Sequence, residues 1–273
     1  MQGRLVDQVD GKIQAFPSDD WQSEFPVAQH LNLANIEWTL DQQGLSSNPL
    51  CTQQGREEVM NLSQEYNLNV AAITGDCFMQ APFWKASIHE RDQLLTDLDL
   101  VILSAAALNV KHIVVPLVDH GRLDDSDQEE CFVNEMSLRS QSLEKSGIRI
   151  VIECDFVPQE LARLISRLPA DSFGVNYDIG NSASLGYDPG EEFDSYGKRI
   201  YHVHMKDRIL GGTTVPLGEG SAQFDRVFQG LANLSYQGLF VLQTARDNQK
   251  KHADVLSRYA DFTQQLMEKY FGP

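Results

Sequence analysis

Glu153, Asp178, His204 and Gln243 each stand where an apolar run gives out, in VIECD, VNYDIGN, YHVHMKD and FVLQTAR. Two carboxylates, an imidazole and an amide oxygen, delivered from four successive strand ends, form a donor set suited to one hard or borderline divalent cation. Glu153 is the candidate base. Gln243 limits the chemistry, because an amide oxygen can ligate a metal but cannot carry a proton. Strand residues two apart share a face, so Asn176 turns inward with Asp178, His202 and Lys206 turn inward with His204, and Val241 turns inward with Gln243. Arg4, Lys206 and Arg246 are cations near strand ends, and an arginine can grip phosphate or carboxylate in a bidentate fork. Glu37 and Asp41 in IEWTLD, Asp76 in ITGDCFM and Asn181 in YDIGN could bind hydroxyl groups of a substrate. Trp38, Phe78 and Trp84 could wall it, and glycines 211 and 212, before Thr213-Thr214, could present amides to a phosphate. His112 starts its strand and belongs to the opposite end of the molecule, where side chains serve stability.

Positioning those residues requires alternating elements. Strands are expected at Asn35–Leu40, Leu68–Gly75, Lys111–Val118, Arg149–Asp155, Phe173–Ile179, Ile200–Lys206 and Gly238–Thr244, short and nearly continuous in apolar residues, as for strands covered on both faces. Helices are expected at Trp21–Leu31, Gln53–Tyr66, Ser87–Leu108, Asp127–Lys145, Pro158–Arg167, Glu191–Tyr196, Ala222–Ala232 and His252–Lys269. Seven strands alternating with eight helices give a parallel α/β fold whose missing strand belongs at the beginning, where Met1–Val6 has room for only a tip. The expectation is a single (β/α)8 TIM barrel over residues 1–273 with a short or incomplete first strand. No GxGxxG or GxxxxGK[ST] supports a doubly wound sheet, and polar residues ending nearly every strand suit a barrel mouth.

The length of 273 residues lies near the roughly 250 of such a barrel. A net charge of −17 argues against nucleic acid as a partner, since phosphate binding needs a basic stripe. Cys51, Cys77, Cys131 and Cys154 form no CxxC pair or regular framework, which points to a reducing, cytoplasmic setting. The longest apolar run, around Leu98–Leu108, is too short to span a bilayer, and the N-terminus lacks the apolar core of a signal peptide.

The ordered set Glu153, Tyr-Asp-Ile-Gly-Asn, Val-His-Met-Lys-Asp and Pro-Leu-Gly-Glu-Gly resembles the sugar phosphate isomerase/epimerase superfamily with a xylose isomerase-like barrel. The resemblance runs from Gln2-Gly3-Arg4 to Arg246. It implies a TIM barrel binding manganese, cobalt, magnesium or zinc, with Glu153, Asp178, His204 and Gln243 as ligands. It also implies that Glu153 removes a proton alpha to a sugar carbonyl, giving an enediolate. Epimerases of the family usually carry a second glutamate where this chain has Gln243, so weaker cation binding is expected. The open readings are a one-base isomerase, an inosose-dehydratase-like lyase, an epimerase that recruits Lys206, and a non-catalytic sugar-binding barrel. The partner implied is a small carbohydrate or sugar phosphate; self-association into a homo-oligomer stays open.

Overall fold

Residues such as Val115, Ile150, Val151 and Ile152 have no solvent exposure. They belong to strands sandwiched between barrel interior and surrounding helices, which is why their sequences run apolar without alternation. The computed structural model describes residues 5–9, 11–12, 14–247 and 249–272. Strands β1 (Asn35–Thr39), β2 (Asn69–Thr74), β3 (His112–Leu117), β4 (Arg149–Cys154), β5 (Phe173–Asp178), β6 (Ile200–Met205) and β9 (Leu239–Leu242) pair in parallel in that order. Between β6 and β9, β7 (Asp207–Arg208) and β8 (Thr214–Val215) make a small antiparallel hairpin. The seven-stranded parallel sheet is curled nearly shut into a barrel, with β1 and β9 at its edges. The helices are α1 (Glu24–His30), α2 (Gln53–Tyr66), α3 (Asp76–Gln80), α4 (Ile88–Ala107), α5 (Ser126–Ser146), α6 (Pro158–Ser166), α7 (Ile179–Leu185), α8 (Pro189–Tyr196), α9 (Phe224–Asn233) and α10 (His252–Phe271).

The first-strand tip expected at Met1–Val6 falls largely outside the described residues, and among those described no strand precedes Asn35. Leu5 and Val6 are nevertheless buried. The Leu5 amide donates to Glu24 Oε1 at 3.0 Å, and Arg246 Nη1 donates to the Val6 carbonyl at 2.7 Å. This segment therefore ties α1 to the chain that follows β9.

Register sets the mouth. Asp178 pairs with His204 across β5 and β6, Asn176 with His202, and Met205 with Leu242, so Gln243 follows directly where β9 ends. Two helices beyond the expected eight, α3 and α7, start right at the ends of β2 and β5. Both are too short to show a helical period, and α7 opens on residues that read as the end of a strand.

The Lys-Asp and Gly-Glu-Gly segments meet through one carboxylate. Asp207, 1 % exposed, accepts the amides of Gly218 and Gly220 on Oδ2 and of Ala222 on Oδ1, at 2.9, 2.9 and 3.0 Å. A β-carbon at Gly220 would collide with that carboxylate, which explains the glycine. Asp207→Ala leaves three amides without their acceptor, and the expected cost is about 2 kcal/mol of folding stability. Thermal unfolding checks this, and an unchanged midpoint would count against the anchor.

Candidate active site

Asp178 does two jobs at once. As the last residue of β5 it caps α7, its Oδ1 accepting the Asn181 amide at 2.8 Å. That cap puts Asn181 in the first turn, where its Nδ2 donates to Glu153 Oε1 at 2.7 Å. Asn176, on the same strand face as Asp178, donates to Glu153 Oε2 at 2.8 Å. Both oxygens of Glu153 are thus held by amides of one strand–helix corner. Gly180 lets that corner close, since a β-carbon there would lie 2.7 Å from Lys206 Cγ. Groups that orient a ligating carboxylate typically matter 10- to 100-fold. Asn181→Ala is expected to weaken Mn²⁺ binding about 10-fold in a calorimetric titration; an unchanged affinity would mean that Glu153 is oriented without it.

His204 Nδ1 lies 3.2 Å from Glu153 Oε2 and 3.8 Å from Asp178 Oδ2, and its Nε2 lies 3.0 Å from Glu37 Oε1. One donor atom from each of Glu153, Asp178 and His204 falls within 4.8 Å of the others. Burial alone would push His204 toward its neutral form, yet the carboxylates of Glu37, Asp178 and Glu153 outweigh it and hold the imidazole well above the ordinary histidine range. Burial would likewise raise Asp178, but the Lys206 ammonium and His204 bring its carboxyl down to about 2. The corner concentrates negative charge around a nitrogen that keeps a proton when no stronger cation is bound. Two carboxylate oxygens and an imidazole nitrogen are also the ligand types of a borderline divalent ion. These residues fit such a cation, which would displace the Nδ1 proton.

Lys206 joins the fourth candidate to this group. Its Nζ is 3.1 Å from Asp178 Oδ2 and donates to Gln243 Oε1 at 2.8 Å. Gln243 Nε2 donates to Gln14 Oε1 at 3.2 Å, and Gln14 Nε2 to Asp76 Oδ2 at 2.6 Å. Above them opens a cavity of about 450 Å³ lined by Glu153, Asp76, Asn181, Lys206, Arg208 and Gln243 among others. That volume lies within the usual range for a small-molecule site.

The other expected binding residues divide. Asp76, Asn181 and Lys206 line the cavity. Glu37 does not: it lies inside the barrel, 1 % exposed, with Oε2 2.6 Å from His202 Nε2 and Oε1 accepting from Thr74 Oγ1 at 2.5 Å. Its position makes it the support that fixes His204, because a carboxylate on the far nitrogen orients a ligating imidazole. Burial would raise the Glu37 carboxyl, but His204 and His202 bring it well below the ordinary range. Arg246 lines a different cavity, with Asp7 and His252, and Arg4 lies outside the described residues. Trp38 and Trp84 are 4 % and 2 % exposed, with their indole N–H groups donating to Asn48 Oδ1 and the Gly121 carbonyl, so they pack instead of walling the mouth. The amides of Gly211 and Gly212 are taken by the Ser184 and Ile209 carbonyls and are not offered to a phosphate. Sequence reasoning assigned no role to Asn176, Gln14 or Arg208. Arg208, whose Nη1 donates to Asn181 Oδ1 at 2.9 Å, had a visible signal in its place two residues beyond Lys206.

A family model for the xylose isomerase-like TIM barrel matches residues 25–265. The rhizopine catabolism protein MocC of Rhizobium meliloti is 23 % identical over 214 residues, which span 62 % of this chain and 63 % of MocC. An inosose dehydratase of Geobacillus kaustophilus is 24 % identical over 162 residues, covering 51 % of this chain and 52 % of the relative. The match thus spans about half to three-fifths of these curated relatives' length. The crystal structure of the IOLI protein with a bound zinc atom superposes with a TM-score of 0.74 at 15 % identity, over 92 % of this chain and 94 % of that one.

Proposed function

We propose that this chain, which belongs to the xylose isomerase-like TIM barrel family, is a metal-dependent enzyme that removes a proton alpha to the carbonyl of a sugar or sugar phosphate. One observation carries the reading. Of the three donors that converge at the mouth, Glu153 faces the substrate-sized cavity, while Asp178 and His204 sit behind it. A divalent cation, held by Glu153, Asp178 and His204 with Gln243 within reach, would supply Lewis-acid stabilisation of the enediolate charge. Asn176 and Asn181 aim the Glu153 carboxylate, and its oxygens take up the proton and return it. Asp76, Lys206 and Arg208 are placed to hold hydroxyl or phosphate groups. A single base working on one face is sufficient for aldose–ketose isomerisation.

A second reading is favoured by Lys206. Its ammonium beside Gln243 puts a proton donor where epimerases of this family usually have a glutamate. Glu153 would take the alpha proton and Lys206 would give one to the departing hydroxyl, so that water leaves and a double bond forms, an inosose-dehydratase-like lyase. The similarity to an inosose dehydratase supports this reading without choosing it.

NMR in deuterated water tests the common step. With Mn²⁺, Co²⁺, Mg²⁺ or Zn²⁺ present, a panel of pentuloses, hexuloses, their phosphates and inososes should include one that acquires deuterium at the carbon alpha to the carbonyl. Net isomer or loss of water then separates the two readings. No exchange on any member would overturn both and leave a sugar-binding barrel.

A further inference from the structure

At the far end of the barrel, the first residues of β3, β4 and β6 and the turn before β9 enclose a cavity of about 440 Å³. Arg149 and Lys198 line it, and none of its lining residues is an aspartate or glutamate. Its position is separate from the candidate active site. Arg149 and Glu153 stand four residues apart on β4, about 13 Å at 3.3 Å per residue.

The charge of this cavity runs against the rest of the molecule. The chain carries 39 acidic and 22 basic residues, and arginines such as Arg139, Arg163 and Arg226 are paired with Asp99, Glu129 and Asp188. Among the described residues, no carboxylate lies within ion-pair distance of Arg149, Lys198 or Arg199. The guanidinium of Arg149 lies 3.7 Å from the centroid of the Tyr201 ring. Stacking engages the face of the guanidinium plane and leaves its N–H edge for hydrogen bonds.

Two nitrogens of the lining residues, Arg149 Nε and His112 Nδ1, are buried without a hydrogen-bond partner, whereas Arg199, outside the lining, spends its Nη2 on the Leu168 and Phe173 carbonyls. Native proteins tolerate few such groups, and a cluster of them marks a place for a water or an ion. The local field selects between these. Burial, His202 and Arg149 together push His112 down to about 3, so the imidazole stays neutral and adds no further positive charge. An uncompensated arginine and lysine remain beside it.

We infer that this cavity binds a small oxyanion, the phosphate or carboxylate group of a metabolite, gripped by the Arg149 guanidinium and approached by the exposed Lys198. The anion supplies an acceptor for the Arg149 guanidinium and the negative charge that the lining lacks. Ser235 and Gln237 at the rim offer polar groups to the rest of such a ligand. The Tyr236 hydroxyl is already spent on the Leu239 carbonyl.

Calorimetric titration of the whole chain with inorganic phosphate, sulfate and acetate at matched ionic strength tests this, with Arg149→Gln, Lys198→Gln, Arg208→Gln to report any anion held at the mouth, and Arg226→Gln, whose guanidinium is already paired with Asp188, as the control. A charge-assisted contact typically makes a 10- to 100-fold difference. Phosphate is expected to bind the wild type and Arg226→Gln alike, at least about 10-fold more weakly to Arg149→Gln, and severalfold more weakly to Lys198→Gln. Acetate binding with the same pattern would assign the site to carboxylates; phosphate and sulfate binding without acetate would assign it to tetrahedral anions. Absence of binding by all three anions, undiminished binding in Arg149→Gln, or loss confined to Arg208→Gln would overturn the proposal. Should Arg149→Gln fail to fold, Lys198→Gln decides alone, because its side chain is exposed and an unchanged affinity would exclude the site.

Discussion

Glu153→Gln is expected to cut deuterium exchange at the substrate's alpha carbon by about 10²- to 10⁴-fold, the usual worth of a positioned general base. The amide keeps the shape of the side chain but has one oxygen in place of two. Asn176 and Asn181 each donate to a different Glu153 oxygen, at 2.8 and 2.7 Å. One of them would therefore meet an N–H group, and the side chain would shift as well as lose its basicity. The same change removes a negative charge from the cation site, so exchange has to be measured with the cation at saturation. A variant that binds the cation, folds normally and still exchanges within a factor of about 10 of wild type would show that another group is the base. Asp178 is the natural comparison. The Lys206 ammonium and the cap of α7 engage its oxygens, so it is poorly placed to move a proton.

The strand-end residues were legible because a parallel barrel imposes a simple rule. Strands covered on both faces read as apolar runs, and polar residues accumulate where those runs stop. Period two turns Glu153, Asn176, Asp178, His202 and His204 inward on the sequence pattern alone. The same rule fails for side chains whose partner comes from elsewhere in the chain. Glu37 looks like a mouth residue in IEWTLD, yet His202 and His204, 165 and 167 residues away, draw it into the interior. Asn181 reads as a loop residue unless Asp178 is recognised as a helix cap, a role that depends on where β5 stops. The Gly211-Gly212 turn suggests an anion loop, but its amides are satisfied within the fold by Ser184 and Ile209. Local sequence shows which groups are available, and tertiary pairing decides which of them remain free.

Gln243→Glu should produce the other large effect, and Lys206 determines its direction. In the wild type the Lys206 ammonium bridges Asp178 Oδ2 and Gln243 Oε1, at 3.1 and 2.8 Å, and thereby balances one buried carboxylate. A second carboxylate at position 243 would share that ammonium and face the cation site with the charge that Gln243 lacks. Mn²⁺ affinity is expected to rise by about 10-fold or more, since charge-assisted contacts are worth about 1.5–3 kcal/mol. Without the cation, the added negative charge should raise the proton affinity of Asp178, which the Lys206 ammonium would no longer offset alone. The chemical consequence separates histories of the site. A barrel that works through Glu153 alone should keep its product and lose some rate. An epimerase site that lost its second proton carrier should regain one, with 3-epimerisation rising by about 10²-fold, the lower end of what a general acid contributes. We expect the product to be kept, because the Lys206 ammonium that Gln243 Oε1 already accepts from would pair with the new carboxylate and tie it up. Tighter Mn²⁺ binding without any new epimer would assign Gln243 to the one-base reading, while unchanged Mn²⁺ binding would remove residue 243 from the cation site altogether.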